Sequence, residues 1–384
     1  MSRVHTWMSL VVVLGLWVAV SECQEAMLGG EAAKDATALT QLGDDHRDRS
    51  EYEQAIAFYE QALALYREVQ DRAGEGRTLT RLGQAYYALN QYKQALALSE
   101  EALAIHREVH NRRDEGITLS NMGLVSMRLS QYKRAITLSE EALAIHREIH
   151  NQQDEGITLS NLGLVYAQLS QYERAIALYE QALALHRAVS NRRDEGSTLT
   201  RLGNAYAQLS QYEQAITLAE QALTIHRELH NRLEEGITLG LLGSVYAQLS
   251  QYERALALYE QALTIHRELH NRGWEGNTLR ALGYAYWALS QYEQAIALYE
   301  QALTIHREVH NRAGEGITLD RLGNVYAGLS LPSGTPVAPV AIPRGARDAH
   351  QPTAHVWRSG PQLRAALAWC RSGPMADTTR PCRP

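Results

Sequence analysis

One block of sequence returns along this chain every 40 residues without a change of register. Its second copy reads Thr-Leu-x-x-Leu-Gly-x-x-Tyr up to Tyr86 and then Gln-Tyr-x-x-Ala-Leu from Gln91. A fixed period of this length predicts a stack of similar supersecondary units, in which each unit packs only on its neighbours. The glycine of the block recurs at Gly83, Gly123, Gly163, Gly203, Gly243, Gly283 and Gly323, and in weaker form at Gly43.

Each repeat divides into two helical patterns, helix A and helix B. In helix A of the second repeat, Leu79, Leu82, Tyr86 and Leu89 follow one another at spacings of three and four, which predicts a single apolar stripe. A glycine in the middle of a helix costs about 1 kcal/mol relative to alanine. Its recurrence beside this stripe, as Gly83, therefore predicts that another helix approaches closely there.

Short polar segments predict where the helices begin. A serine followed three residues later by glutamate predicts a capping box at the start of helix B, and an aspartate before helix A predicts its N-cap. The expected capping boxes are Ser170 with Glu173, Ser210 with Glu213, Ser250 with Glu253 and Ser290 with Glu293, and the expected helix A caps are Asp114, Asp154 and Asp194.

These patterns resemble the tetratricopeptide repeat. The family signature is matched here by Leu159, Leu162-Gly163, Tyr166, Ala175, Tyr179 and Ala182. The resemblance implies an all-α, right-handed superhelical solenoid of antiparallel helix pairs. Two features depart from the signature: leucine replaces its first large aromatic residue, and the proline that usually ends helix B is missing, so we expect a longer helix B and a repeat of 40 rather than about 34 residues. This long form is similar to kinesin light chains, to spindle-orientation adaptors, and to bacterial arrays that precede a caspase-like (CHAT) domain.

The predicted array covers residues 35–330, as seven helix pairs and an eighth, unpaired helix A. Residues 24–34 are expected to be a linker. Residues 1–23 carry an uncharged run, Trp7 to Val20, that is short for a membrane span and is typical of a signal peptide. We therefore expect an exported protein, periplasmic or secreted, with an uncleaved membrane anchor as the alternative; a cytoplasmic location is disfavoured.

The composition changes sharply at residue 331. All nine prolines lie beyond it, together with seven arginines and no lysine or glutamate. One interpretation of residues 331–384 is a disordered Pro/Arg-rich tail. The other is an out-of-frame translation, because a shifted reading of Leu331 to Pro339 can resume the helix B pattern. Either way, the last helix A is expected to expose an apolar stripe, through which the chain could self-associate.

Several function classes are disfavoured. The formal net charge of −6 argues against a nucleic-acid binder, and residues 24–330 contain no cysteine to act as ligand or nucleophile. Histidines recur four residues apart, but without a third ligand, so we interpret them as solvated or packing residues. We expect no metal, cofactor, small-molecule substrate or catalytic set in the array. The histidine pairs are His106/His110, His146/His150, His226/His230, His266/His270 and His306/His310.

The remaining candidate site is the concave groove, which the resemblance assigns to helix A. Positions beside the Leu-Gly pair vary between copies, whereas the apolar stripe hardly changes. Asparagine amides suit the backbone of an extended peptide, arginines could pair with its carboxylates, and aromatic rings could anchor it. The predicted groove residues are Thr80, Arg81, Gln84, Tyr87, Ser120, Asn121, Ser160, Asn161, Thr200, Arg201, Asn204, Arg280, Tyr284, Trp287, Asp320, Arg321 and Asn324.

The sequence therefore predicts a non-catalytic protein–protein interaction scaffold whose partner is a protein or an extended peptide. The alternative is the regulatory portion of an enzyme with a caspase-like effector domain beyond residue 330.

Overall fold

The computed structural model describes residues 32–49 and 51–329, and these residues form fifteen α-helices with no β-strand among them. This confirms the predicted all-α solenoid of helix pairs. Odd-numbered helices are A helices and even-numbered ones are B helices. Their bounds are α1 (32–48), α2 (Tyr52–Glu68), α3 (Arg72–Ala88), α4 (Tyr92–Glu108), α5 (Arg112–Arg128), α6 (Tyr132–Glu148), α7 (Gln152–Gln168), α8 (Tyr172–Ala188), α9 (Arg192–Gln208), α10 (Tyr212–Glu228), α11 (Arg232–Gln248), α12 (Tyr252–Glu268), α13 (Arg272–Ala288), α14 (Tyr292–Glu308) and α15 (Arg312–Leu329).

Some of the predicted segments lie outside the described residues. These are the signal or anchor segment 1–23, the tail 331–384 and most of the linker 24–34, of which residues 32–34 are helical. Across the part that the structure describes, no helix combines the length and the apolar character needed to cross a bilayer.

The two helices of a repeat are equally long. Helices α3 and α4, for example, have 17 residues each and are joined by only Leu89, Asn90 and Gln91. The expectation that helix B alone carries the extra length is therefore wrong. The polar segment expected to be a turn, Asn111 to Asp114, contains the N-cap and first turn of helix A.

Helices α2 to α14 each end in a Schellman turn at a residue with positive φ. At the end of α4, His110 has φ 54°, its N–H bonds the carbonyl of Arg107, and the N–H of Asn111 bonds the carbonyl of His106. Ser170 has the same role after α7, with φ 58°. The predicted capping boxes are wrong for this reason, because Ser170, Ser210, Ser250 and Ser290 close the preceding helix. The N-cap of each of these four B helices is a glutamine whose side chain makes no capping hydrogen bond.

The A helices are capped one turn earlier than predicted. The side chain of Asn111 accepts a hydrogen bond from the backbone N–H of Asp114 at 3.2 Å, and its amide donates to the Asp114 carboxylate at 2.7 Å. The predicted caps Asp114, Asp154 and Asp194 are therefore third helical residues, held by Asn111, Asn151 and Asn191. The cap preference for asparagine fits this arrangement.

The close approach predicted at the recurring glycine is confirmed. A Cβ added at Gly163 would lie 2.6 Å from Cε1 of Tyr179, a ring that is only 1% exposed. At Gly83 it would lie 2.8 Å from Oγ of Ser99 and 3.3 Å from the carbonyl oxygen of Ala95. Helix B therefore packs directly on the helix A backbone. This contact is the reason for a glycine that is otherwise costly in the middle of a helix.

A second glycine per repeat receives a buried histidine. In α3, a Cβ at Gly76 would lie 2.9 Å from Cε1 of His106, and the His106 ring is fully buried. Nε2 of the ring lies 3.2 Å from the hydroxyl of Thr80. Burial lowers the pKa of this histidine, partly opposed by the charge of Asp114. The same burial against a glycine, with a lowered pKa, recurs at His146, His186, His226, His266 and His306.

The histidine pairs are split by the end of the helix. His106 points into the core, whereas His110 is exposed in the turn that follows. The two rings of a pair therefore do not share a helix face. Within residues 32–49 and 51–329, no group of three or more histidine, cysteine, aspartate or glutamate side chains is arranged to hold a metal ion.

A buried carboxylate joins three helices at five of the repeat junctions. Glu115 in α5 accepts from Nε of Arg107 in α4 at 2.9 Å and from Arg112 at 2.6 Å, while Arg112 also reaches Glu148 in α6 at 2.6 Å. The side chain of Glu115 is 7% exposed, so both arginines are needed to offset its desolvation. They hold the pKa of Glu115 below its usual value despite burial. Equivalent networks centre on Glu75, Glu195, Glu235 and Glu275.

Replacing two equivalent glycines by alanine should have opposite effects. Gly163→Ala is expected to destabilise the array by about 1–3 kcal/mol, because the new methyl group overlaps the buried Tyr179 ring. Gly323→Ala is the matched control, since nothing lies within 4 Å of its added Cβ. It should stabilise α15 by up to about 1 kcal/mol through helix propensity. Thermal melts of both variants test this; shifts in the same direction would contradict the packing role.

The buried histidines predict a loss of stability on mild acidification. Their pKa lies below the unfolded value of 6.5, so the unfolded chain binds more protons just below that pH. The contribution of the histidines to the free energy of unfolding should therefore be fully present above about pH 6.5. Below that pH the free energy of unfolding should fall, by about 1.4 kcal/mol for each unit of pKa difference. Urea denaturation over this pH range measures the slope. His110→Asn, which changes an exposed ring, should keep the slope; a midpoint that does not fall would contradict the prediction.

Candidate functional site

The A helices form one continuous layer. Each A helix packs directly on the next, from α3 on α5 to α13 on α15, and each B helix packs on the A helices before and after it. Among the described helices, no two B helices pack on each other as extensively. The layer of A helices is therefore the more tightly spaced one, as expected on the inner side of a curved array. We call the surface lined only by A helices, around Arg77, Arg81, Gln84 and their equivalents, the A face.

Four of the predicted groove residues lie between A helices. The hydroxyl of Thr80 lies 3.0 Å from that of Thr118, and the hydroxyl of Ser120 accepts from Thr158 at 3.1 Å. Ser160 pairs with Thr198 at 3.2 Å and Thr200 with Thr238 at 2.9 Å. Thr80, Ser120, Ser160 and Thr200 are all buried, so this line of hydroxyls joins adjacent repeats and contributes little exposed surface.

At the N-terminal end of the A face, Arg81 meets a carboxylate of the first repeat. Its Nε lies 3.0 Å from Oδ1 of Asp44, which also pairs with Arg47 at 2.9 Å and accepts from the Tyr59 hydroxyl at 2.7 Å. Burial and this hydrogen bond raise the pKa of Tyr59. Arg77 is exposed beside this group of side chains. Two surface cavities of about 210 and 180 Å³ adjoin the group. The cavity of about 210 Å³ is lined by Arg47, Arg77, Thr80, Arg81, Gln84, Asp114 and Ile117.

In the middle of the A face, two asparagines lie among half-buried apolar side chains. Asn121 is half-buried, and its Nδ2 has no hydrogen-bond partner. Asn161 is buried, with its Nδ2 3.5 Å from Oγ of Ser120. Leu124 and Leu164 adjoin them and are partly buried. This stretch therefore combines amide groups with an apolar surface.

Arg201 and Asn204 continue the A face in α9. Arg201 donates to Oγ of Ser160 at 2.8 Å and faces Glu234 from the next repeat. Burial raises the pKa of Glu234, and the charge of Arg201 opposes the rise. Asn204 is exposed, and its carbonyl oxygen is 3.5 Å from Nε2 of Gln208.

Aromatic residues lie at both ends of the A face. Tyr87 packs against Tyr92 with ring centroids 5.6 Å apart, and its hydroxyl accepts from Nε of Arg128 at 3.0 Å. At the other end, Tyr284 lies 5.7 Å from Trp287, and the Arg321 guanidinium lies 5.3 Å from the Tyr284 ring centre. Arg280 is half-buried nearby, and Asp320 and Asn324 are exposed.

Sequence reasoning missed part of this surface. Asp44, Arg47 and Arg77 belong to the A face at its N-terminal end, and Arg128 joins it through Tyr87. The 40-residue register could have found two of them, because Asp44 occupies the Gln84 position of the first repeat and Arg47 the Tyr87 position. The hydroxyl pairs could not be found in this way, because their partner threonines vary too little to stand out from the core.

The profile of the tetratricopeptide repeat family matches residues 34–108, 114–188, 194–268 and 274–331, which is more than half of the chain. The chain therefore belongs to the tetratricopeptide repeat family. No curated protein sequence matches it.

Solved structures share the fold at low sequence identity. The apo form of RapI is 17% identical with a TM-score of 0.58, covering 72% of this chain and 99% of RapI. Aspartyl phosphate phosphatase F from Bacillus subtilis is 16% identical with a TM-score of 0.59, covering 74% of this chain and 73% of the phosphatase. A Rap protein in complex with competence and sporulation factor is 13% identical with a TM-score of 0.53, covering 77% of this chain and 99% of that protein. These similarities establish the solenoid fold alone.

Proposed function

We propose that this protein is a non-catalytic interaction scaffold that binds an extended segment of a partner protein along the A face. The observation that carries the proposal is the contrast between two sets of helix A positions. Leu79, Leu119, Leu159, Leu199, Leu239 and Leu279 are each at most 2% exposed and never vary. The A-face positions beside them change from repeat to repeat in charge, amide content and apolar character.

Unused hydrogen-bonding capacity supports a peptide ligand. The Nδ2 donor of Asn121 is buried and has no partner, and Asn204 exposes another amide two repeats further on. An asparagine amide both donates and accepts, which suits the N–H and C=O groups of an extended backbone. Leu124 and Leu164 between them offer apolar surface for the side chains of such a segment. That a Rap protein of the same fold was solved in complex with competence and sporulation factor is compatible with this use.

Two other predictions concern the C-terminal part of the chain. An effector domain beyond residue 330 stays a prediction. Self-association through α15 also stays a prediction, motivated by Ile317 and Leu319, which are 46% and 45% exposed. A dimeric mass by light scattering would support self-association, and a monomeric mass would count against it.

The proposal predicts that peptide binding depends on the A-face amides. The probe is a library of random dodecapeptides displayed on phage and panned against the full chain. Asn121→Ala with Asn204→Ala should weaken the selected peptides about tenfold or more, since each lost hydrogen bond is worth about 1 kcal/mol. Because the Nδ2 group of Asn121 is unpaired, its removal should cost little stability.

The matched control removes two amides from the B helices. Gln181→Ala with Gln221→Ala deletes two exposed amide side chains of α8 and α10. This variant should retain the affinity of the wild-type protein. Equal losses in the two double variants, or a library that yields no binding peptide, would contradict the proposed function.

A further inference from the structure

Large apolar side chains are exposed along one edge of the array. The three-residue turns that lead from a B helix into the next A helix all lie on this edge, because consecutive helices are antiparallel. From the end of α10 to the end of α14, five apolar side chains at or beside these turns are each 38% to 44% exposed. We call them the apolar edge: Leu229, Leu233, Leu269, Trp274 and Val309. Neighbouring exposed apolar groups within a polar surround are typical of a protein–protein interface.

Two members of the apolar edge depart from the repeat template. The position of Leu233 is polar in the three preceding repeats, and the position of Trp274 is acidic in the four preceding ones. The apolar character is therefore confined to the C-terminal repeats and is not a property of the template. The equivalent residues are Arg113, Gln153 and Arg193 for Leu233, and Asp114, Asp154, Asp194 and Glu234 for Trp274.

The indole of Trp274 is held in place by the array. Its ring stacks on the buried ring of His266, with centroids 5.9 Å apart and planes at 20° to each other. Its backbone N–H donates to Oδ1 of Asn271 at 3.3 Å, which fixes the residue in the first turn of α13. A side chain that is ordered before association loses little conformational entropy on binding. Trp274 is therefore suited to anchor an interface.

The charged groups around the apolar edge are paired within the chain. At the turn from α10 to α11, Glu235 binds Arg227 at 2.9 Å and Arg232 at 2.7 Å, and Arg232 also binds Glu268 at 2.8 Å. Because these charges neutralise one another, two copies of the edge can approach without like-charge repulsion. The equivalent pairs at the turn from α12 to α13 are Arg267 with Glu275, Arg272 with Glu275 and Arg272 with Glu308.

The spacing of the apolar edge also favours a second copy of the chain. Helices α9, α11 and α13 pack directly on one another, and helices in direct contact lie about 8–10 Å apart. Leu229, Leu269 and Val309 occupy equivalent turns, so they recur at about this interval. A second copy presents the same interval. In a two-fold arrangement, its turns can therefore fit between those of the first copy.

We propose that the apolar edge is the interface of a two-fold symmetric dimer of this chain. The inference goes beyond the proposed function and does not depend on it, because it invokes no ligand of the A face. It also differs from self-association through α15, which would use Ile317 and Leu319.

The test gives the apolar edge the residue types of an earlier repeat. In the full chain, Leu233→Arg and Trp274→Asp introduce the residue types found at Arg193 and Asp194, so the double variant should keep the fold. We expect a wild-type dimer in sedimentation equilibrium, and a dissociation constant raised at least about tenfold in the variant, because a two-fold interface loses each contact twice. A wild-type protein that stays monomeric up to about 100 μM would overturn the proposal and leave the edge to a different protein or a lipid surface.

The matched control removes apolar side chains from α15. Ile317→Asn with Leu319→Asn replaces two side chains that are as exposed as those of the apolar edge. This variant should keep the dissociation constant of the wild-type protein. Dissociation of the control dimer, alone or together with that of the edge variant, would overturn the proposal, because the dimer would then depend on α15 or on apolar surface in general.

Cysteine cross-linking locates the interface independently of any loss of apolar groups. Residues 24–330 contain no cysteine, so a chain with Cys23, Cys370 and Cys382 replaced by serine accepts one new thiol in the array. Gly273→Cys places it between Leu269 and Trp274, where an added Cβ meets only Oδ1 of Asn271, at 3.8 Å.

The control thiol is Glu260→Cys, at an exposed position in the middle of α12. A short bismaleimide should link two copies of the Gly273→Cys chain and leave the Glu260→Cys chain unlinked. Equal linking of the two chains, or none from Gly273→Cys, would contradict the proposed interface.

Discussion

The direct packing of helix B on the backbone of helix A is the contact on which this solenoid depends. It occurs twice in each internal repeat, where a tyrosine, serine or alanine of helix B meets one glycine and a buried histidine meets another. Any side chain at Gly163 would overlap Tyr179, so the glycines set the distance between the two helices. A fixed distance within the pair fixes which residues face outward, and this is why the A face can vary while the repeat geometry stays constant.

Polar groups then join one pair to the next. At most junctions a buried glutamate, such as Glu115, binds an arginine of the preceding helix B and an arginine of its own helix. The hydroxyl pairs, such as Thr80 with Thr118, join adjacent A helices directly. In a repeat array the stability is a sum over units and their interfaces, so such short-range contacts determine the stability of the whole. The neutral, buried histidines add a dependence on pH to the same interfaces.

The sequence predicted the helix pairs, their register and the close approach at Gly83, because these follow from apolar spacing and from the cost of glycine in a helix. It did not predict the caps. Ser170 and Asp114 have the residue types of N-caps. The backbone turn, however, places Ser170 one residue before the N-cap of its helix and Asp114 three residues after the N-cap of its helix. The groove was predicted as columns of variable residues, and the structure places most of those columns on the A face. Thr80 and its equivalents are the exception, because they lie buried between A helices. A small hydroxyl can form a hydrogen bond with a neighbouring threonine as readily as with a ligand, and sequence alone does not distinguish the two.

In the proposed function, the ligand is bound by the A-face side chains and not by the repeat template. A photo-crosslinking scan tests that claim most directly, with benzoylphenylalanine placed in turn at Gln84, Asn204 and Asn324 on the A face and at Glu100, Glu180 and Glu260 on the B helices. The bound probe is a peptide selected from the dodecapeptide library. We expect crosslinks from the A-face positions, with the B-helix positions remaining unlabelled. Crosslinks that arise mainly from the B helices would contradict it.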